Sequence, residues 1–191
     1  MPVHRFEDLD LTRQYTYADY LTWRFRERVE LLRGWVRKMG PAPSMYHQRV
    51  SLELTRLIAN FFHGHPCFVF HAPFDVRLVR TDGGESVVQP DLCVVCEESK
   101  LTKQGCTGAP DWVIEILSPG NSAREMRDKY ELYEESGVRE YWVVDPERSI
   151  ILRYVLRDGG YVGLAPRGVG DDAIEAGCFE GFRISGAEVF P

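Results

Sequence analysis

Asp111-Trp112-Val113-Ile114-Glu115-Ile116-Leu117-Ser118 is the stretch on which the fold turns. With the period of two of a β-strand, Asp111, Val113, Glu115 and Leu117 share one face, and Trp112, Ile114 and Ile116 share the other. Glu115 is then a carboxylate set in an apolar strand, a placement that calls for an ionic partner, a donor or a cation. Downstream, Ser122-x-x-Glu125 has the form of a capping box that opens a helix, and Gly137 stands where that helix closes. Glu140 to Asp145 is a second apolar strand. Strand, helix and strand in succession form a crossover, so the central sheet is expected to be mixed.

Upstream lies another apolar run, Val87 to Val95, interrupted by Gln89-Pro90-Asp91. Proline is disfavoured inside a central strand, so a bend or bulge is expected there, with Asp91 beside it. Cys67–His71 and Phe74–Val79 read as strands before it, with a turn at Thr81-Asp82-Gly83-Gly84. Ser44 caps a long helix whose Val50, Leu54, Leu57, Ile58 and Phe61 recur at helical spacing, after a break at Gly40-Pro41-Ala42-Pro43. Before that, Thr16-x-x-Asp19 opens a short aromatic helix running to about Phe25. Val29–Leu32 and Trp35–Met39 then flank Arg33-Gly34 as a tight hairpin. Beyond the second crossover strand come hairpin-like segments, Ile150–Leu156 and Tyr161–Leu164, and a glycine-rich acidic tail. The expectation is one α/β (α+β) domain over 1–191. It has a core over 44–146, an N-terminal helix and basic hairpin over 15–40, and peripheral C-terminal strands over 150–191.

The composition narrows the function classes. A chain of 191 residues with 44% hydrophobic and 12% aromatic content is not a disordered one. It has no apolar run of about 18 residues, so no membrane span is expected. The N-terminus lacks an apolar signal core, and an odd count of five cysteines fits a reducing compartment, so the expected location is the cytoplasm. The net charge of −6 at first argues against a nucleic-acid partner. It is unevenly spread, however. Arg24 to Arg49 holds seven basic residues against Glu27 and Glu30, a local +5, leaving −11 for the remainder. Such a stretch serves either as an anion-binding face or as a solvated arginine-rich surface.

Asp91 and Glu115, if their strands are neighbours, form a hard-oxygen site suited to Mg²⁺ or Mn²⁺. Lys129, on the helix after the Glu115 strand, borders the stripe Met126, Tyr130 and Tyr133, where its ammonium can orient a water or offset developing charge. The plainer readings are Asp91 paired with an arginine or with backbone, and Lys129 paired with Glu125 one turn back. Cys93-x-x-Cys96 is a poor zinc site, because its two positions point to opposite faces of a strand and no second ligand pair accompanies it. Ser118 lacks a nucleophile-elbow motif. His47, His63, His65 and His71 read as capping, loop or partly buried residues, and the Met126, Tyr130, Tyr133 stripe reads as core.

From about Tyr15 to Asp145 the chain resembles the Uma-two family of restriction endonuclease-like proteins, within the PD-(D/E)XK nuclease superfamily. The matching phrases are Glu30-Leu31-Leu32-Arg33-Gly34, Pro41-Ala42-Pro43-Ser44 followed by His47-Gln48, Gln89-Pro90-Asp91-Leu92, and Ala109 to Pro119. Asp128-Lys129 with Tyr133, and Gly137 to Pro146, complete the ordered set. The resemblance implies an αβββαβ core and metal-dependent phosphodiester hydrolysis of DNA, with Mg²⁺ or Mn²⁺ as cofactor and a homodimer as the working form. It matches Asp91 and Glu115 to the two metal-binding acids and Glu30 to an N-terminal acid of the site. Leu117 stands where the superfamily has a lysine, and Lys129 is the matching substitute. The Ile116 carbonyl is expected to join the metal ligands, and Arg33, Arg37, Lys38, His47 and Gln48 are expected to grip the DNA backbone with Trp35 and Tyr46. The rival reading keeps the nuclease fold as a catalytically weak or inactive module that binds nucleic acid or a protein partner.

Overall fold

Thr16, Ser44 and Ser122 each cap a helix through their side-chain oxygens in the computed structural model, which describes residues 2–40, 42–80, 83–120 and 122–190. Pro41 of the expected chain break and Thr81 and Asp82 of the expected turn lie outside those residues. Helix α1 (Tyr17–Tyr20) is one turn long, shorter than the spacing predicts. Trp23 leaves it to bridge Val3 and to pack edge-on against Tyr15.

Strands β1 (Val29–Leu32) and β2 (Trp35–Lys38) form the expected hairpin. Arg33 and Gly34 both take positive φ, as a two-residue turn matched to strand twist requires. Helix α2 (Met45–Phe62) follows, then β3 (Phe68–His71), β4 (Val76–Val79), β5 (Glu85–Val88), β6 (Leu92–Val95), β7 (Cys106–Thr107) and β8 (Trp112–Ile116). Helix α3 (Ala123–Ser136) ends at Gly137, whose φ of 84° is the left-handed cap. Then come β9 (Glu140–Asp145), β10 (Ile150–Arg157), β11 (Gly160–Gly163), β12 (Arg167–Gly168), β13 (Ile174–Glu175), β14 (Arg183–Ile184) and α4 (Gly186–Val189).

The main sheet runs β11-β10-β9-β8-β6-β3, with β8 and β9 parallel and the other pairs antiparallel. In chain order, α2-β3-β6-β8-α3-β9 gives the expected helix, three strands, helix and strand in a mixed sheet. The remaining early strands form a second sheet, β2-β1-β5-β4-β7. Residues 87–95 therefore do not make one bent strand. Gln89-Pro90-Asp91 is the corner where the chain leaves the second sheet for the main one.

The faces follow the period of two along β8. Trp112, Ile114 and Ile116 join Val50, Leu54, Ile58 and Phe62 of α2 in one core layer. Val113 belongs to the opposite layer, with Leu132 and Tyr133 of α3 and with Val76, Leu78 and Val88 of the second sheet. The C-terminal segment is not peripheral: Ile174, Phe182, Ile184 and Val189 are buried in the α2 layer. The hairpin is structural as well, since β1 is the inner partner of β5. Cys67 and Cys96 form a disulfide across β3 and β6, against the expectation of reduced thiols. They are the next pair outward from Phe68 and Val95, which the ladder sets directly opposite. No helix among the described residues is long and apolar enough to cross a membrane.

Candidate active site

Antiparallel pairing of β6 with β8 sets Leu92 opposite Ile114, and continuing that register brings Asp91 opposite Glu115. The two acids are thus neighbours across strands. Asp91 Oδ2 accepts the Ile116 N–H at 2.7 Å. That bond fixes the carboxylate and leaves Oδ1 as its outward oxygen.

Glu115 points to the α3 side. Lys129 Nζ donates to its Oε1 at 2.9 Å, and Tyr133 Oη donates to the same oxygen at 2.6 Å. Lys129 also lies 3.2 Å from Glu30 Oε1, an oxygen that accepts the Gln89 N–H at 3.0 Å. The lysine therefore turns inward to the strand acids and not toward Glu125. Lys129 is 8% exposed and Glu30 6%. Burial raises the Glu115 carboxyl above the ordinary carboxylate range, Lys129 pulls it back, and Asp91 and Glu30 push it further up. Burial works against a charged Lys129, yet the charges of Glu115 and Glu30 win and hold its ammonium well above the usual value. Glu115 and Glu30 thus face one ammonium, and Asp91 faces the His47 ring. A surplus of negative charge on hard oxygens is the donor chemistry that suits a small divalent cation. Among the described residues, no three His, Cys, Asp or Glu side chains form a ready-made metal cluster. The donors on offer are Asp91 Oδ1, Glu115 and backbone oxygen.

His47 occupies the site instead of the surface. The residue is 6% exposed, and its Nε2 lies 3.3 Å from Asp91 Oδ1. The Ile116 backbone adds to the pull toward a protonated ring. Burial opposes protonation of this imidazole, but the bond to Asp91 and the charges of Asp91 and Glu115 raise its pKa. A signal for this placement exists in the sequence: His47 stands three residues before Val50 on the stripe that continues through Leu54 and Ile58. Tyr133 was equally legible, one turn beyond Lys129 on the same face of α3.

The expected DNA-gripping residues divide. Arg33 pairs with Glu131 at 3.4 Å and Glu135 at 3.1 Å, and Arg37 pairs with Asp128, so α3 neutralises both. Lys38 is exposed and lies over the Phe6 ring. Gln48 is exposed on the first turn of α2, beside exposed Tyr46, and Trp35 is exposed at the second-sheet edge.

Residues 17–186 match the Uma2 family, described as "Putative restriction endonuclease". A protein of Synechocystis sp., "Uncharacterized protein slr1290", is 28% identical over 145 residues, 74% of each chain. A crystal structure from Anabaena variabilis, described as "a putative nuclease belonging to DUF820", superposes with a TM-score of 0.72 at 20% identity. The match spans 92% of this chain and 97% of that one.

Proposed function

Because the chain belongs to the Uma2 family, whose description is a restriction endonuclease's, we propose that it is a divalent-metal-dependent endonuclease hydrolysing phosphodiester bonds of DNA. The observation that carries this reading is the convergence of Asp91, Glu115 and Lys129 from three separate elements on one charged cluster. Asp91 Oδ1, Glu115 and the Ile116 carbonyl are the groups that would hold Mg²⁺ or Mn²⁺. When bound there, such an ion polarises the scissile phosphate and lowers the pKa of a coordinated water. Lys129 Nζ, held between Glu115 and Glu30, presents N–H bonds to the attacking water or to a phosphate oxygen and offsets charge as the bond breaks. Glu30 sets the lysine's position and is itself anchored by the Gln89 N–H.

Backbone contacts would come from the exposed basic residues Arg26, Lys38 and Arg49 and from Gln48 and Tyr46, with Arg33 and Arg37 contributing only by exchanging α3 acids for phosphates. Such contacts give affinity without sequence readout. A homodimer is part of this reading through the superfamily resemblance, and light scattering of the purified protein checks it. The central test is plasmid cleavage with Mg²⁺ or Mn²⁺. The expected result is cutting by the wild type and none by Asp91→Ala or Glu115→Ala. Equal cutting by all three proteins would overturn the assignment. DNA binding without any metal-dependent cutting would identify a binding module instead.

A further inference from the structure

The residues assigned so far leave His47 without a task, although its ring is buried at the centre of the site. We propose that His47 is itself a ligand of the divalent ion, through Nε2, and that this nitrogen shifts the site's preference from Mg²⁺ toward Mn²⁺ and similar transition ions. The inference rests on the metal-dependent reading above and assigns to His47 a role different from contact with the DNA backbone.

Two observations carry it. Asp91 Oδ2 is committed to the Ile116 N–H, so Oδ1 is the oxygen left to bind a cation, and Oδ1 is the atom that His47 faces. An ion that takes Oδ1 therefore sits where Nε2 now points. The spacing agrees. Adjacent ligand atoms about 2.1 Å from an octahedral ion stand roughly 3.0 Å apart. Nε2 and Oδ1 are 3.3 Å apart, longer than the ~2.7–2.9 Å of a charge-assisted hydrogen bond. Nδ1 is buried and has no hydrogen-bond partner among the described residues. When Nε2 coordinates, the ring's proton resides on Nδ1 without an acceptor, a cost the coordination bond must outweigh. Imidazole suits transition ions, whereas Mg²⁺ favours an all-oxygen shell.

The full-length protein, stripped of metal and titrated with Mn²⁺, supplies the test by a readout independent of cleavage. Pulsed electron paramagnetic resonance should show nitrogen coupled to bound Mn²⁺, and labelling histidine with ¹⁵N should change that coupling. His47→Gln should lose the coupling and bind Mn²⁺ roughly tenfold more weakly, with a smaller loss for Mg²⁺. Mn²⁺ uptake that depends on Asp91 but shows no histidine coupling in the wild type overturns the inference and leaves the nuclease reading intact. Absence of any uptake, or equal uptake by Asp91→Ala, overturns both. The wild-type measurement decides the matter even if His47→Gln fails to fold.

Discussion

Glu115 and Glu140 stand on the neighbouring parallel strands β8 and β9, each a carboxylate in an apolar run, yet their surroundings differ in kind. Glu140 is fully buried and is hydrogen-bonded by neutral donors, Trp142 Nε1 at 2.6 Å, the Gly177 N–H at 2.9 Å and the Cys178 N–H at 2.8 Å, while the Arg153 guanidinium acts on it through space without a direct bond. Both of its oxygens are satisfied by fixed dipoles, and the bonds pin the tail that carries Phe182 and Ile184 into the core. Glu115 meets charges. Lys129 answers it, Glu30 and Asp91 crowd the same cluster, and His47 faces Asp91. The first carboxylate closes a structure, and the second keeps a place for a cation. Burial alone does not separate a structural acid from a functional one; the balance of neutral donors against charges does.

Three substitutions separate the two carboxylates and a fourth tests the surface pairs of the hairpin, in falling order of effect. Asp91→Ala should reduce metal-dependent cleavage by about 10³-fold or more, roughly 4 kcal/mol of barrier, with the fold kept. Near-wild-type cutting would put the reacting centre elsewhere. Lys129→Met should cost about 10²–10³-fold in cleavage, the scale of one lost charge-stabilising donor. It should also destabilise the metal-free protein by about 3 kcal/mol, because carboxylates are left facing one another. Saturating Mn²⁺ should return part of that stability in urea melts, and a melt indifferent to Mn²⁺ would count against a cation at this cluster. Glu140→Ala should destabilise by about 3 kcal/mol, since it strands buried N–H donors, while cleavage per folded molecule stays unchanged. A selective loss of activity would erase the distinction between the two acids. Arg33→Ala should change stability by under about 1 kcal/mol, the usual worth of a partly exposed ion pair. Calorimetry showing a much larger loss would mean that the Glu131 and Glu135 contacts hold the hairpin in place.

Much of this was legible along the chain. The period of two in Asp111–Ser118 sorts Trp112 from Val113 onto the two layers they occupy, and it aims Glu115 at α3. Pro90 marks an interruption, but periodicity has no means of telling one bent strand from two strands in different sheets. The charge of Arg24–Arg49 looks wholly unpaired along the chain because the acids that answer Arg33 and Arg37, namely Asp128, Glu131 and Glu135, lie on α3, far away in sequence. Chain order likewise separates His47 from Asp91, and Glu140 from the tail it holds.

What the sequence determined by itself is local. Side-chain oxygens at Thr16, Ser44 and Ser122 start the helices, Arg33-Gly34 turns the hairpin, Gly137 ends α3, and hydrophobic spacing chooses the buried face of each element. These rest on groups a few residues apart, whose energies depend on neighbours along the chain. Only the tertiary structure decided which acid meets which cation. Glu30 meets Gln89 and Lys129, Asp91 meets Ile116 and His47, and Arg37 meets Asp128 through packing alone. The character of a buried charge is set by what surrounds it in space, and strand order brings those surroundings together from distant parts of the chain.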